Sequence, residues 1–190
     1  MNKLNTEKRA QIVALLVEGN SLRATSRISG VAFNTVLKFA ADAGKAAAAY
    51  QDKALRNLPC KRVQVDEIWA FCYAKDKDVP EHMRNQYGVG SVWTWVGIDA
   101  DTKLNVSWLV GSRDTTDATI FVSDLASRLA NRVQLTSDGH KPYLEAVETA
   151  FGADVDYAQL VKIYGTAPEA EKRYSPAECT GASKVRSTAT

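Results

Sequence analysis

The sequence predicts an α/β chain, with a small helical front followed by a larger domain built on a mixed sheet, and three observations predict it. Apolar residues in the first forty-four positions recur at helical spacing and are punctuated by Gly19-Asn20, Gly30 and Gly44. Beyond Pro59 the spacing becomes strand-like, as in Val63-Gln64-Val65-Asp66-Glu67-Ile68-Trp69. The charge changes there too. Residues 1–62 hold eleven Lys/Arg against four Asp/Glu, a net of +7, and residues 63–190 hold thirteen against eighteen, a net of −5. A basic front on an acidic remainder suggests a nucleic-acid-reading head on a body that needs a cation for its own chemistry. Solvated surface charge of no consequence accounts for the same numbers.

The front reads as three short helices. Asn5 or Thr6 caps the first, which runs through Ile12, Leu15 and Leu16 to Gly19-Asn20. Ser21 caps the second, with Leu22, Ala24, Thr25 and Ile28 inward, and Gly30 stops it. Asn34 caps a third from Thr35 to Ala43, with Val36, Leu37 and Phe39-Ala40 apolar and Gly44 closing it. A short helix, a tight turn holding Gly and a further helix form the helix-turn-helix pattern, and the small Ser26 lets the two helices approach. In that geometry the first turn of the third helix enters the major groove. Asn34, Thr35 and Lys38 would face DNA, with Arg23, Arg27 and Lys45 near phosphates. A three-helix bundle that binds nothing fits the same spacing. Residues 45–61 read as an alanine-rich linker helix ended by Pro59.

In the body, strands are expected over Arg62–Tyr73, Val92–Ile98 and Leu104–Val110, the last two joined by the turn Asp99-Ala100-Asp101-Thr102-Lys103. Thr115 or Thr116 caps a helix carrying Ile120, Phe121, Leu125 and Leu129. A strand Val133–Ser137, a helix Lys141–Phe151 and a strand Tyr157–Ile163 follow. Three strands, then helix, strand, helix, strand is the order of the ribonuclease-H-like fold, which sets the first and fourth strands side by side. The expected division is a helix-turn-helix domain at 1–44, the linker at 45–61, an incomplete ribonuclease-H-like domain at 62–181 and a disordered tail at 182–190.

Side-by-side strands would bring Asp66 and Asp138 together where an open sheet forms its ligand cleft. Two carboxylates there repel unless a divalent cation lies between them. Such a pair with a third acid is how two magnesium ions are held for an in-line attack on a phosphodiester. The neighbouring acids have plainer accounts. Glu67 should point to the opposite strand face as a structural residue, Asp99 suits the turn, and Asp114 and Asp117 complement a helix N-terminus. His140 reads equally as a phosphate contact or a surface turn residue. Trp69, Trp93, Trp95 and Trp108 all fall in strands and read as core.

With these residues in hand, the chain resembles an insertion-sequence transposase of the DDE superfamily, of the short insertion-sequence-one type. The segments that carry the resemblance are Val63-Gln64-Val65-Asp66-Glu67-Ile68-Trp69-Ala70-Phe71, Trp95-Val96-Gly97-Ile98-Asp99-Ala100 and Leu135-Thr136-Ser137-Asp138-Gly139-His140-Lys141-Pro142-Tyr143. Tyr157 to Tyr164 and Tyr174-Ser175-Pro176 match as well, so the resemblance runs to about Gly181. It implies that Asp66 and Asp138 are the first two catalytic acids and metal ligands, with Mg2+ or Mn2+ as cofactor. Its implied partner is double-stranded DNA at the terminal inverted repeats of a mobile element, and a homodimer is one assembly it allows. The implied activity is metal-dependent cleavage and strand transfer in DNA transposition. The family's third acid, a glutamate in a Ser-Tyr-Val-Glu-Arg type of motif, has no counterpart here. Glu169, Glu171 and Glu178 all precede its expected place. A truncated or frameshifted copy without catalysis is the expectation, and a DNA-binding repressor or competitor of the intact enzyme is the alternative function.

The bulk composition excludes other classes. No apolar run approaches the ~20 residues of a membrane span, and the first seven residues lack the apolar core of a signal peptide, so the default location is cytoplasmic; the resemblance implies the bacterial nucleoid. Cys60, Cys72 and Cys179, with only His82 and His140, offer neither a disulfide framework nor a zinc spacing.

Overall fold

The computed structural model describes residues 4–84, 86, 88–165 and 179–186. The chain divides into two compact units, Met1–Leu55 and Arg56–Thr190. Tyr174-Ser175-Pro176, Glu169, Glu171 and Glu178 lie outside the described residues.

The first unit holds three helices, α1 (Thr6–Val17), α2 (Leu22–Ser29) and α3 (Phe33–Ala54). Asn5 caps α1 by accepting from the Lys8 amide at 2.8 Å, and Ser21 caps α2 by accepting from Ala24 at 3.2 Å. Gly30 ends α2 in the left-handed region, φ 69°, which only glycine enters at no steric cost. The Ser26 hydroxyl donates to the Val31 carbonyl at 2.8 Å and ties the following turn to α2. Ile12 and Val36 are fully buried, with Thr25 and Ser29 beside them in the burial pattern.

Three expectations need correction here. The cap of α3 is Ala32, without a side-chain hydrogen bond, and Asn34 lies inside the first turn. The helix does not close at Gly44 but runs to Ala54, taking most of the expected linker into one element of 22 residues. The physical reason is composition: Ala46 to Ala49 and their neighbours favour helix strongly, and one exposed glycine costs only ~1 kcal/mol. Ile28 and Leu37, read as inward, are exposed.

The second unit is a six-stranded mixed sheet with strand order β3-β2-β1-β4-β5-β6. Its elements are β1 (Arg62–Cys72), β2 (Gly90–Asp99), β3 (Asn105–Gly111), α4 (Thr115–Arg128), β4 (Val133–Asp138), α5 (Pro142–Phe151), β5 (Val155–Tyr164) and β6 (Cys179–Arg186). The first three strands form an antiparallel meander, β4 joins β1 in parallel, β5 joins β4 in parallel, and β6 returns antiparallel on β5. Residues 182–186 therefore belong to a strand and not to the expected tail. Their lack of apolar periodicity hid this, because an edge strand needs a backbone ladder more than a buried face.

One face of the sheet is the core. Val63, Val65, Trp95, Val106, Leu135 and Tyr157 on the strands meet Phe121, Val122 and Leu125 of α4 and Tyr143, Ala146 and Val147 of α5. Each large side chain removed from water in this layer contributes ~1.5–3 kcal/mol. Gly97 lets α4 approach, since a Cβ there would lie 3.2 Å from a Leu125 methyl and 3.4 Å from Phe121. Asp114 caps α4 by accepting from the Asp117 amide at 2.9 Å, so the capping reading of these acids holds, while Thr115 is the first helical residue and not the cap. Of the four tryptophans only Trp95 is fully buried. Trp69 and Trp108 are exposed, which corrects their reading as core.

Candidate functional site

β1 and β4 place Asp66 and Asp138. The parallel pairing runs Arg62 with Gln134, Val63 with Leu135 and Gln64 with Thr136. Two further steps along both strands bring Asp66 level with Asp138. In a parallel pair, residues at one level point to the same side of the sheet. Asp66 accepts a hydrogen bond from the Glu67 amide at 2.8 Å, and Asp138 accepts one from the His140 amide at 2.9 Å, so both carboxylates are anchored by backbone donors.

Glu67 joins them. Its burial follows Val63 and Val65, as strand alternation requires, yet one carboxylate oxygen from each of Asp66, Glu67 and Asp138 lies within 4.8 Å of the others. The reading of Glu67 as a residue of the opposite face is right for the backbone and misses where the side chain ends. That side chain is only 1% exposed, and Arg113 donates to its Oε2 from Nε at 2.9 Å. Glu67 Oε1 is buried without a hydrogen-bond partner among the described residues. The Arg113 guanidinium also reaches Asp138 at 3.5 Å and lies over the Trp93 ring, 4.8 Å from its centre. A protein cation thus spans two of the three acids while stacked on an aromatic face.

Behind the acids the packing is aromatic. Tyr143 stands edge-on to Trp95 at 5.5 Å and to His140 at 5.9 Å. The buried Tyr143 hydroxyl faces the Glu67 carboxylate, and His140 Nε2 is buried without a hydrogen-bond partner among the described residues. Burial first, and then the Glu67, Asp138 and Asp66 carboxylates, push the Tyr143 hydroxyl far above the ordinary phenol range, so it stays protonated. Burial, and next the Arg113 cation, hold His140 below the usual imidazole value. His140 is therefore a half-buried neutral ring in the turn after β4, packed against Trp95 and Tyr143. Its carbonyl accepts from Gln159 at 3.1 Å, which ties the loop after β4 to β5.

A cleft of about 620 Å³ opens beside Asp138, lined by Arg113, Gly139, His140, Lys141 and Lys162 among others. Asp99 lies elsewhere, at the end of β2, opposite Val63 in the β1–β2 pairing. It accepts from the Thr102 hydroxyl at 2.5 Å, a bond that heads the causes lowering its pKa, and so serves the turn.

In the first unit, Arg23, Arg27, Asn34, Thr35 and Lys38 are all exposed. Lys38 pairs with Asp42 at 2.7 Å one turn along α3, and Arg23 lies over the Phe33 ring at 5.2 Å. Among the described residues no helix is long and apolar enough to cross a membrane. The three cysteines form no disulfide, with Cys60 buried and the other two exposed.

Sequence reasoning missed Arg113, Tyr143 and the reach of Glu67. For Arg113 the available signal was an arginine in the short connection from a strand to the capping Asp114. For Tyr143 it was the place five residues beyond Asp138, in the first turn of the next helix. No protein-family model matches this chain, and no curated protein matches it.

Proposed function

We propose that this chain is built as a DDE-type DNA transposase, with a helix-turn-helix head for element ends and a ribonuclease-H-like body for metal-dependent strand cleavage and transfer. The observation that carries the reading is the convergence of Asp66 and Asp138 from neighbouring parallel strands, with Glu67 beside them. The strand order of the body and the exposed Asn34, Thr35 and Lys38 near the start of α3 support it. The donor set suits the cation: carboxylates are hard oxygen ligands of the kind Mg2+ and Mn2+ take.

Asp66 and Asp138 would hold the ion. Bound there, it supplies a Lewis acid that activates water and stabilises charge on a phosphodiester oxygen. The chain's own residues do the rest. Arg113, Lys141 and Lys162 border the cleft beside Asp138 and can draw a phosphate backbone toward the acids. The amides of Glu67 and His140 hold the two aspartates in place. The packed Trp95 and Tyr143 keep water from the inner side of the site.

A second reading, DNA binding without catalysis as a repressor or competitor, is favoured by the acidic cluster. Among the described residues its three members come from β1 and β4 alone. One experiment addresses both readings. The full chain is mixed with duplex oligonucleotides, and mobility shift and nicking are followed with and without Mn2+. Binding with Mn2+-dependent nicking that Asp66→Asn and Asp138→Asn abolish supports the transposase reading. Binding with no nicking supports the competitor. No binding to any duplex at low salt overturns both.

A further inference from the structure

We propose that the paired ends of β1 and β2 beyond the helical layer form a shelf for an unpaired nucleic-acid strand. Trp69, Phe71 and Trp93 would stack the bases, and Lys75 and Arg113 would meet the phosphates. The inference goes beyond the reading above, which asks only for duplex DNA and a cation, and it uses neither aspartate.

The shelf begins where the helices stop. Trp69 stands opposite Trp93 in the β1–β2 pairing, and Phe71 opposite Ser91. Cross-strand partners share one face of a sheet, and alternation puts Trp69 and Phe71 on the side of Val63 and Val65. α4 and α5 cover that side as far as Trp95, which is fully buried. Past Trp95 the face is open: Trp69 is 42% exposed and Phe71 46%. Their ring centres lie 5.7 Å apart.

These rings are held in place. Trp69 Nε1 donates to the Ser91 hydroxyl at 3.0 Å. The Ser91 amide donates to Asp76 at 2.6 Å, and its hydroxyl donates to the same carboxylate. Gly90, at φ 95°, lets the loop close in, since a Cβ there would lie 2.5 Å from the Asp76 carboxylate. Ser91 thus engages the acid next to Lys75. A half-exposed tryptophan fixed by a chain of hydrogen bonds is preorganised for a flat partner. Lys75 Nζ sits over the Trp69 ring, 5.7 Å from its centre, and Arg113 sits over Trp93 at 4.8 Å.

This alternation of rings and cations selects the occupant. An apolar protein surface laid here would take both cations from water without a counter-charge. A nucleotide offers a π-face to a ring and a phosphate to a cation, and only an unpaired strand has bases free to leave their own stack. Arg113 also lines the cleft beside Asp138, which Lys141 and Lys162 border, so the cationic path continues from the shelf.

The test is binding of the full chain to a labelled oligothymidylate of ~16 nucleotides, followed by anisotropy and by tryptophan fluorescence. All four tryptophans lie in the second unit, so quenching reports that unit and not the helical front. We expect saturable quenching at low salt. Trp69→Leu and Phe71→Leu should each weaken the oligothymidylate about fivefold or more and leave duplex affinity unchanged. Lys75→Gln should lower the salt slope on the single strand by about 0.7, the share of one phosphate. Circular dichroism checks that each variant is folded, and if Trp69→Leu is not, Phe71→Leu and Lys75→Gln decide. No quenching of the natural chain, or natural affinity in the folded ring variants, overturns the proposal. So does a natural chain that sediments as a dimer which Trp69→Leu dissociates, because a second copy then covers the shelf. Loss of the expected duplex binding or Mn2+-dependent nicking, with the shelf variants behaving as stated, would sink the transposase reading and support the shelf.

Discussion

Arg128 shows how much of this fold depends on single ionic contacts at the edge of the core. It is nearly buried on α4 and donates to Asp124 from Nε at 2.7 Å and from Nη2 at 2.9 Å, while the Ser107 hydroxyl of β3 bonds the same carboxylate. Burial raises the Asp124 pKa, and the Arg128 and Ser107 hydrogen bonds more than offset this, leaving it below the ordinary value. Arg128→Ala leaves that carboxylate half-buried and short of donors, so it should cost about 2–3 kcal/mol, measured by urea unfolding. The pH dependence has a definite sign. A lowered folded pKa gives stability that is complete above the unfolded value of about 4 and is lost as pH falls through the folded one. The variant's stability should fall less over that acid range than the natural chain's; an unchanged slope would show that Arg128 does not hold Asp124. At this scale Asp66 and Asp138 were legible because each lies in an alternating strand, Asp66 midway along β1 and Asp138 at the end of β4. Glu67 was not, since alternation fixes the direction of a Cβ and says nothing of where a three-carbon side chain ends. Arg113 was not, because it comes from a connection whose path only the tertiary fold determines.

Elements were legible where their sidedness is strong. α4 and α5 each bury an apolar stripe on the sheet, and β1 to β5 appeared within a few residues of their expected limits. α3 and β6 were misread for opposite reasons. In α3 a glycine was taken as a stop, although alanine neighbours outweigh it; in β6 polarity was taken as disorder, although β5 offers an open edge. Two substitutions measure these balances. Gly44 lies inside α3, exposed, with nothing within 4 Å of an added Cβ. Gly44→Ala should therefore stabilise the first unit by about 0.5–1 kcal/mol, seen as a higher helical melting temperature. Destabilisation would mean that the helix is broken there in solution. Gly97→Val acts in the other sense. Its side chain would press on Leu125 and Phe121, already at 3.2 and 3.4 Å from the Cβ position, and should cost about 1–3 kcal/mol by lifting α4 off β2. A neutral Gly97→Val would mean that α4 sits farther from the sheet.

For the whole molecule the charge asymmetry has consequences that neither unit's packing reveals. The division into a basic front and an acidic body was legible from composition alone, although the break falls at Leu55 and not at residues 44 or 62. If the front reads DNA, affinity must come from lysines and arginines that release counterions from phosphates, and the logarithm of the binding constant then falls with salt by ~0.9 per phosphate neutralised. The Lys38–Asp42 pair does not oppose this. Both side chains are more than half exposed, and water and salt screen such a surface pair, so a phosphate can displace the aspartate. Lys38→Ala with Arg27→Ala should weaken duplex binding by the full chain and reduce the salt slope by up to about two units, because each removes one cation from the exposed surface of α2 and α3. Asp66→Asn with Asp138→Asn should leave that slope unchanged, since those acids belong to the other unit. The measurement is fluorescence anisotropy of a labelled duplex between about 50 and 200 mM salt, the range over which several phosphate contacts change affinity by orders of magnitude. Equal binding and an equal slope in the Lys38/Arg27 double variant would place the DNA surface elsewhere. A steeper slope in the aspartate double variant would mean that the body, once relieved of its acids, meets the duplex as well.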